Sequence, residues 1–547
     1  MNFYNLYAVP IFVYLISVDL CGSLCSLCKF FFLLHRVPLR YTEVHRGKTN
    51  LLFMLLLGID LGSSSVKASV IDGDSGKCLA TAFSPSDEMK IIALNPGWAE
   101  QDTEMWWQNL KSAVISCTGK LGSRAAGIGA IGISYQMHGL VTVDSGHKVL
   151  RPSIIWCDSR AAGYGEKAMI SLGREFCLSH LLNSPGNFTA SKLAWVKENE
   201  PELFSRIHKI MLPGDYAAMR MTGEINTTYT GLSEGIFWDF AENRVSEALM
   251  NYYGFRSDLL PEAVSSFSVQ GTLQKQVASE LGLPEGIPVS YRAGDQPNNA
   301  LSLNVLNPGE VAATAGTSGV IYGVTDITQF DPRSRVNTFL HVNHTEKAAR
   351  LGVLLCINGT GILNSWLRRN TGAALSYNEM NAMASETEPG SDGLCILPFG
   401  NGAERMLENR ETGAHISGLD FNRHSRGHLF RAAQEGIAFS FRYGLDILKK
   451  TGIDPKLIRA GEANMFLSNI FREALSTITG TVIHLYNTDG SIGAARGAGM
   501  GCGFYRTDKE AFGGLDAVGV TEPDMTKLPV YENSYERWKK HLATVNN

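Results

Sequence analysis

Apolar and polar positions divide this chain into two unlike parts. Residues 3–34 are rich in Phe, Leu, Val, Ile and Tyr, with Asp19 and Lys29 as their only formal charges. From Leu55 onward, short apolar blocks alternate with longer amphipathic stretches, the pattern of an α/β protein. Leu55–Leu61 reads as a strand, Gly62-Ser63-Ser64-Ser65 as a tight turn, Val66–Ile71 as a returning strand and Asp72-Gly73 as a second turn. The device recurs after Gly309. There Glu310–Thr314 reads as a strand, Ala315-Gly316-Thr317-Ser318-Gly319 as a small-residue turn and Val320–Val324 as the return. The apolar run Ile287–Tyr291 leads into Gly294-Asp295-Gln296. Helices are predicted after Gly361, running through Trp366, and at Gly461 with Asn464.

Both small-residue turns place backbone N–H groups and short hydroxyls where they can surround an anion. Either alone also reads as an ordinary hairpin turn. Each opens a half of similar size, which indicates a duplicated domain whose halves face each other across a nucleotide. Neither turn is a Walker A loop, and no Gly-x-Gly-x-x-Gly opens a β-α-β unit. A P-loop NTPase and a Rossmann dehydrogenase are both poorly supported.

The leading apolar run is long enough to cross a bilayer. However, Pro10, Asp19 and Gly22 interrupt it, and its basic residues (Arg36, Arg40, Arg46, Lys48) follow it rather than precede it, unlike a secretory peptide. Met54 directly precedes the first strand. Residues 1–53 are therefore expected to be a non-native or dispensable leader, with a membrane anchor as the alternative.

Charge removes another class. With 49 Lys+Arg against 53 Asp+Glu, the chain carries a formal charge of −4 and offers no basic face for nucleic acid. Glycine is the unusual residue: 56 of 547, where roughly 7% is ordinary, without the period of a fibrous chain. Such an excess points to positive-φ turns and to places where backbone approaches a ligand. Seven scattered cysteines (Cys78, Cys117, Cys157, Cys177, Cys356, Cys395, Cys502) read as reduced core thiols of a cytosolic protein. Cys21, Cys25 and Cys28 in the leader lack the second ligand pair of a metal site.

Several motifs, in order, resemble the FGGY carbohydrate kinases and their xylulokinase branch. They are Gly58-Ile-Asp-Leu-Gly-Ser-Ser-Ser-Val-Lys67, Trp98-Ala-Glu-Gln-Asp102 with Trp106-Trp107, Gln136-Met-His-Gly139, and Arg151-Pro-Ser-Ile-Ile-Trp-Cys-Asp-Ser-Arg160. Lys192-Leu-Ala-Trp-Val-Lys-Glu-Asn199, Gly294-Asp295-Gln296, Gly316-Thr-Ser-Gly319 and Ala460-Gly-Glu-Ala-Asn464 complete the series. Individually most are weak; in this order they are specific. The resemblance implies two ribonuclease-H-like (actin/Hsp70-type) domains, 54–305 and 306–547, with an active-site cleft between them. It implies ATP-dependent phosphorylation of a ketose, D-xylulose being the expected acceptor at its terminal 5-hydroxyl.

The same resemblance distributes roles. Asp295 falls on the proton acceptor; its local sequence alone reads equally as an Asx-turn before a helix. Asp60 falls on the carboxylate that acts near Mg²⁺, otherwise a turn cap. Gly62, Ser63, Ser64 and Lys67 fall on the first phosphate loop, and Gly316, Thr317 and Ser318 on the second. Met137 and His138 fall on the sugar contact, where a lone His would ordinarily be a loop residue. A neutral imidazole both donates and accepts hydrogen bonds, which suits vicinal hydroxyls. Trp156 is expected to pack on the carbon chain, and Asp158 and Arg160 to bind hydroxyls or orient their loop. Gly361, Gly461 and Asn464 fall on the adenosine end. Two departures stand out: Glu462 replaces a small residue of a glycine-rich stretch, and Gln296 stands where xylulokinases usually have Asn. Glycerol kinases carry Gln there, so ribulose, fuculose, gluconate, sedoheptulose and glycerol kinases stay open. So do a non-catalytic sugar or nucleotide sensor on the same fold and a homodimer.

Overall fold

The computed structural model of the protein describes residues 54–371 and 374–546. The leader, its anchor reading and its three clustered cysteines lie outside the described residues.

Two sheets organise the described chain. The first contains β1 (Leu55–Leu61), β2 (Val66–Asp72), β3 (Cys78–Ser84), β4 (Ile128–Tyr135) and β5 (Val289–Gly294), in the order β5-β4-β1-β2-β3. β1, β4 and β5 run parallel; β2 returns antiparallel to β1, and β3, antiparallel to β2, runs in the direction of β1 again. Every residue of β1 except Asp60 is buried. That explains its continuous apolar run: a central strand covered on both faces needs no polar alternation. Helix α1 (Thr103–Gly119) covers one face with Trp106 and Trp107. Helix α2 (Asp295–Ser302) follows β5 directly.

The second sheet repeats the plan. It holds β6 (Val311–Ala315), β7 (Gly319–Thr325), β8 (Asn337–Leu340) and β9 (Leu351–Ile357), then, after helices α3 (Gly361–Thr371) and α4 (Arg426–Leu448), β10 (Leu457–Gly461). Helix α5 (Asn469–Thr479), β11 (Val482–Tyr486), helix α6 (Gly490–Gly501), β12 (Ala517–Thr521) and helix α7 (Leu528–Asn546) complete the chain. The strand order is β8-β9-β7-β6-β10-β11-β12. Its inner five strands, β9-β7-β6-β10-β11, match β3-β2-β1-β4-β5 in order and direction, with β6, β10 and β11 parallel. The duplication is the one expected from the two recurring turns, and its ribonuclease-H-like plan is the one the family resemblance implies.

Helix α6 belongs by sequence to the second half but lies on the first sheet. The approach is backbone against backbone. A Cβ on Gly58 would stand 1.8 Å from the Ser491 carbonyl, and one on Gly132 2.0 Å from that of Ala494. From the helix side, Cβ atoms on Gly497 and Gly501 would meet the Tyr291 ring at 2.5 Å and the Ser290 carbonyl at 1.7 Å. The Ser290 hydroxyl donates to the Ala498 carbonyl at 2.8 Å, fixing the register. Much of the glycine excess is spent on this contact and on turns.

Several element ends differ from expectation: β2 runs to Asp72, β6 spans Val311–Ala315 and β7 spans Gly319–Thr325. β5 begins at Val289 rather than Ile287 and runs on to Gly294. Asn464 opens a short 3-10 turn, Asn464–Leu467, instead of an α-helix, which begins only at Asn469. Asn464 has φ +55°, a left-handed value incompatible with continuing a right-handed helix. Among the described residues, no helix is long and apolar enough to cross a membrane.

The sheet–helix contact is testable. Gly58→Ala is expected to cost about 3 kcal/mol or more in denaturant unfolding, because backbone on both sides must move. Gly119→Ala, whose Cβ meets nothing within 4 Å, is the matched control and should gain at most about 1 kcal/mol. Equal stability of the two variants would contradict the packing described.

Candidate active site

The carboxyl ends of parallel strands are where open α/β sheets bind ligands. Here β1 ends in Asp60-Leu61 and the turn at Gly62–Ser65. β4 ends in Tyr135 and runs into Gln136-Met137-His138, and β5 ends at Gly294 and runs into Asp295. The register places Asp60 level with Ser134, and Ala293 level with the same Ser134. The β1 and β5 backbones are thus two strand spacings apart, roughly 10 Å.

Asp295 is the first residue inside α2, after the cap residue Gly294. Burial pushes its carboxyl up to about 7; the charge of Asp60 adds to the shift and hydrogen bonds from Gln296 oppose it. Asp60 is raised as well, by burial first, with the Ser134 hydroxyl and Lys67 opposing and Asp489 reinforcing. Asp60 thus raises Asp295, and Asp489 raises Asp60, because like charges in a poorly solvated site disfavour double ionisation.

The first turn is braced from several sides. Gly62 N–H donates to the Ser65 carbonyl at 3.1 Å and Met89 N–H to that of Ser64 at 2.8 Å. Gln101 Nε2 donates to the Ser63 carbonyl at 2.7 Å, and Trp156 Nε1 to the Ser63 hydroxyl at 3.3 Å. Ser64 is exposed at the tip. Lys67 is not a free cation: its ammonium lies 2.6 Å from the carboxylate of Asp489, the N-cap of α6. Asp489 also accepts the N–H groups of Ser491 and Ile492 at 2.9 and 3.1 Å. Although burial acts the other way, Lys67 and these bonds hold Asp489 below its ordinary value. The next residue, Gly490, brings the helix against Asp60, whose Oδ2 lies 2.4 Å from where a Cβ would stand. Asp489 went unrecognised in the sequence. Its Asp-Gly-Ser start of a helix was the available signal.

On the other side of Asp295, Met137 is buried, its Cγ 2.6 Å from the position of a Gly294 Cβ. His138 has φ +62°. Its Nδ1 lies 2.9 Å from the Glu234 carbonyl. A carbonyl only accepts, so Nδ1 carries the proton. Burial pushes the imidazole down to about 3, with the Lys192 charge acting in the same direction. Neutral and protonated on Nδ1, His138 has Nε2 as an acceptor only. That narrows the donor-and-acceptor role expected from the sequence.

The remaining sugar-side residues separate into two groups. Trp156 is 53% exposed beside the first turn, and Gln296 adjoins Asp295. Asp158, by contrast, is fully buried and turned inward. Its carboxylate accepts from Ala99 N–H at 2.6 Å, Arg160 N–H at 2.9 Å and the Arg160 guanidinium at 2.7 Å. Arg160 also pairs with Glu100 at 2.6 Å and lies 3.8 Å over the Trp98 ring. Of the two roles open to Asp158 and Arg160, the geometry supplies the loop-orienting one, since the Asp158 acceptors are already occupied.

The second half contributes a cavity of about 540 Å³ lined by Gly316, Thr317, Gly361 and Asn464, with Arg369, Tyr377 and Asn381. Gly361 N–H donates to the Gly316 carbonyl at 2.9 Å, and Ile362 N–H to the Thr317 carbonyl at 3.1 Å. A side chain on Gly361 would collide with the turn, its Cβ 2.3 Å from the Gly316 carbonyl. Thr317 and Ser318 are exposed at the tip, as is Glu462 nearby. Gly461 lies outside the cavity lining, 3.8 Å from the Thr488 carbonyl by its Cβ position. Arg369, Tyr377 and Asn381 carry no local motif that would single them out.

The coupling between Asp295 and Asp60 can be read directly by carboxyl ¹³C NMR. Asp295 should titrate near pH 7, and Asp60→Asn should lower that value, because a negative neighbour is removed. An Asp295 titration that ignores Asp60→Asn would contradict the arrangement.

Comparison with known proteins agrees with this geometry. Residues 55–302 match the N-terminal domain of the FGGY family of carbohydrate kinases, and residues 311–502 match its C-terminal domain. The chain is 28% identical to the xylulose kinase of Escherichia coli K12 over 451 residues, 81% of this chain and 88% of that one. It is 32% identical to the xylulose kinase of Streptomyces rubiginosus over 406 residues, 73% of this chain and 78% of that one. The solved xylulose kinase from Rhodospirillum rubrum matches with a TM-score of 0.81 at 26% identity, covering 90% of this chain and 99% of that one. With both domains matched along most of its length, the chain belongs to the FGGY family of carbohydrate kinases.

Proposed function

We propose that the protein transfers the γ-phosphoryl group of ATP to the terminal hydroxyl of D-xylulose, with Asp295 as the general base. The observation carrying this reading is the convergence at the strand ends. A carboxylate with its titration near neutrality stands at the start of α2, with Met137 and His138 on one side and the first phosphate turn on the other. The xylulose kinases among its relatives supply the acceptor.

In the proposed step the sugar hydroxyl oxygen bonds to the γ-phosphorus and the bond from that phosphorus to the bridging oxygen breaks. ADP leaves and the hydroxyl proton passes to the Asp295 carboxylate. Positioning and charge neutralisation contribute most of the acceleration in such transfers. Gly62, Ser63 and Ser64 on one side and Gly316, Thr317 and Ser318 on the other offer short hydroxyls and N–H groups to the phosphates. The adenosine would occupy the cavity beside Gly361 and Asn464. His138 would accept a hydrogen bond from a sugar hydroxyl through Nε2, while Met137 and Trp156 cover carbon.

Mg²⁺ is part of the proposal. Asp60 is a hard oxygen donor that keeps some accessibility, with Asp489 close enough to perturb it. One or two carboxylates plus nucleotide phosphates are the usual protein share of a magnesium site. Bound there, the ion would offset the charge of the phosphates. Lys67, already neutralised by Asp489, would act on phosphate only by leaving that pair. A cytoplasmic setting belongs to the same reading. Gln296 favours one second reading, another ketose or polyol as acceptor.

Two measurements test this. A coupled ADP-release assay over pentuloses, hexuloses, gluconate and glycerol should give the highest kcat/KM with D-xylulose. No sugar-dependent ADP release would contradict the kinase reading, and a better sugar would contradict the acceptor. Asp295→Asn should lower kcat by about 10³-fold or more while the sugar Kd stays within about threefold. The base must be ionised in the free enzyme, so kcat/KM should fall as pH drops below about 7. A flat profile between pH 5 and 8 would contradict the assignment.

A further inference from the structure

Glu234 ends the short helix Tyr229–Glu234 and is 1% exposed. It lies between the two segments that flank the sugar in the proposed reading. Its main-chain carbonyl accepts from His138 Nδ1 at 2.9 Å, and its Oε1 accepts the His138 N–H at 3.4 Å. Its Oε2 lies 2.5 Å from where a Cβ on Gly294 would stand, immediately before Asp295. Oε2 closes no hydrogen bond. The Tyr135 hydroxyl, also buried, is left without a partner too.

Charge around Glu234 is short of cations. Asp215 and Asp295 are the acids that act on it; Arg292, whose Nε is 2.9 Å from Asp215, and Lys192, on the His138 carbonyl, are each already engaged. His138 is neutral, and burial and the surrounding acids push the Tyr135 hydroxyl far above its ordinary value, so it too is neutral. An ionised Glu234 would be a dry anion without a counter-ion, a far costlier arrangement than a protonated carboxyl. Burial raises Glu234 well above its ordinary value, together with Asp215 and Asp295 and against the His138 N–H bond and the Tyr135 hydroxyl.

His138 needs such support. A non-glycine residue at φ +62° costs about 1–3 kcal/mol and persists only when its surroundings fix it. Both of its backbone groups are gripped by buried ionisable side chains: the N–H by Glu234 and the carbonyl by Lys192 Nζ at 2.8 Å. The Phe188 and Phe339 rings pack against the imidazole at 4.8 and 5.4 Å.

We propose that Glu234 is a positioning residue for the sugar, acting as a neutral carboxylic acid. Oε1 holds the left-handed backbone of His138, and Oε2 keeps its proton beside the Asp295 turn. The proposal rests on the reading that His138 contacts the sugar, and it assigns a role that none of the recognised motifs carries.

Glu234→Gln keeps an acceptor, a donor and the shape, whereas Glu234→Leu keeps only the shape. Glu234→Gln should leave the sugar KM within about twofold, while Glu234→Leu should raise it about tenfold or more with the ATP KM unchanged. The acid limb of kcat/KM should stay in place in Glu234→Gln, since no charge is removed. A limb shifted to lower pH in that variant, or a loss as large as that of Glu234→Leu, would overturn the neutral-acid assignment. An unchanged sugar KM in Glu234→Leu would overturn the positioning role. If Glu234→Leu does not fold, Glu234→Gln decides alone through its KM and its pH limb. A readout without substrate separates this from the functional reading. Imidazole ¹⁵N shifts of the wild type and Glu234→Gln should show His138 protonated on Nδ1 and bare on Nε2 from pH 5 to 8. The opposite tautomer would overturn the proposal even if sugar turnover is normal. Absent turnover with the expected tautomer would instead fault the acceptor or the reaction.

Discussion

The structure depends on the contact between helix α6 and the first sheet. Four glycines, Gly58 and Gly132 on the strands and Gly497 and Gly501 on the helix, let backbone meet backbone where any Cβ would intrude. Through this contact the end of the chain becomes a layer over its beginning. The consequence for the site is direct. The first turn of α6 carries Asp489 to Lys67 and sets Gly490 against Asp60, so the surroundings of the β1–β2 turn are assembled from residues 422 positions apart. A looser seat for α6 would disperse these charges before it unfolded the sheet.

Burial then sets the protonation of the cleft. Asp295 is pushed up to about 7, His138 down to about 3 and Lys192 down to about 7, in each case with desolvation as the largest cause. The common effect is to reduce formal charge where a neutral sugar is proposed to bind. The ionised pairs are either closed on themselves, as Asp158 with Arg160 and Asp215 with Arg292, or placed near the phosphate turns, as Lys67 with Asp489. This division suits a site that must bind an uncharged polyol beside a highly charged nucleotide. Paired charges held in fixed geometry also cost little reorganisation during the transfer.

Much of the architecture was legible in the sequence because it is local. The turns after β1 and β6 are written in Gly, Ser and Thr, and the strands around them in uninterrupted apolar residues. The cavity proposed to take adenosine has part of its lining, Gly316, Thr317, Gly361 and Asn464, among the residues singled out from the sequence. The proposed role of Asp295 comes only from family resemblance, since Gly-Asp-Gln by itself reads as a turn. What could not be read was the long-range pairing. Nothing near Lys67 announces Asp489, and nothing in Thr-Gly-Leu-Ser-Glu-Gly announces that Glu234 ends against His138. Asp158 shows the reverse case: a polar residue in the right motif whose acceptors prove to be taken by Arg160 and by the Ala99 N–H of a distant segment. Backbone placement follows from local chemistry, whereas the partner of a buried charge is decided by topology.

The central claim is that Asp295 receives the hydroxyl proton during phosphoryl transfer to a sugar bound beside His138. A single-turnover rapid-quench experiment with γ-³²P-labelled ATP and D-xylulose, run side by side on the wild type and Asp295→Asn, addresses it directly. The account predicts that label moves onto the sugar in the wild type and stays on ATP in the variant, with both ligands bound in each. Label appearing on the sugar at similar rates in both proteins would contradict it, as would label passing to water alone in the wild type.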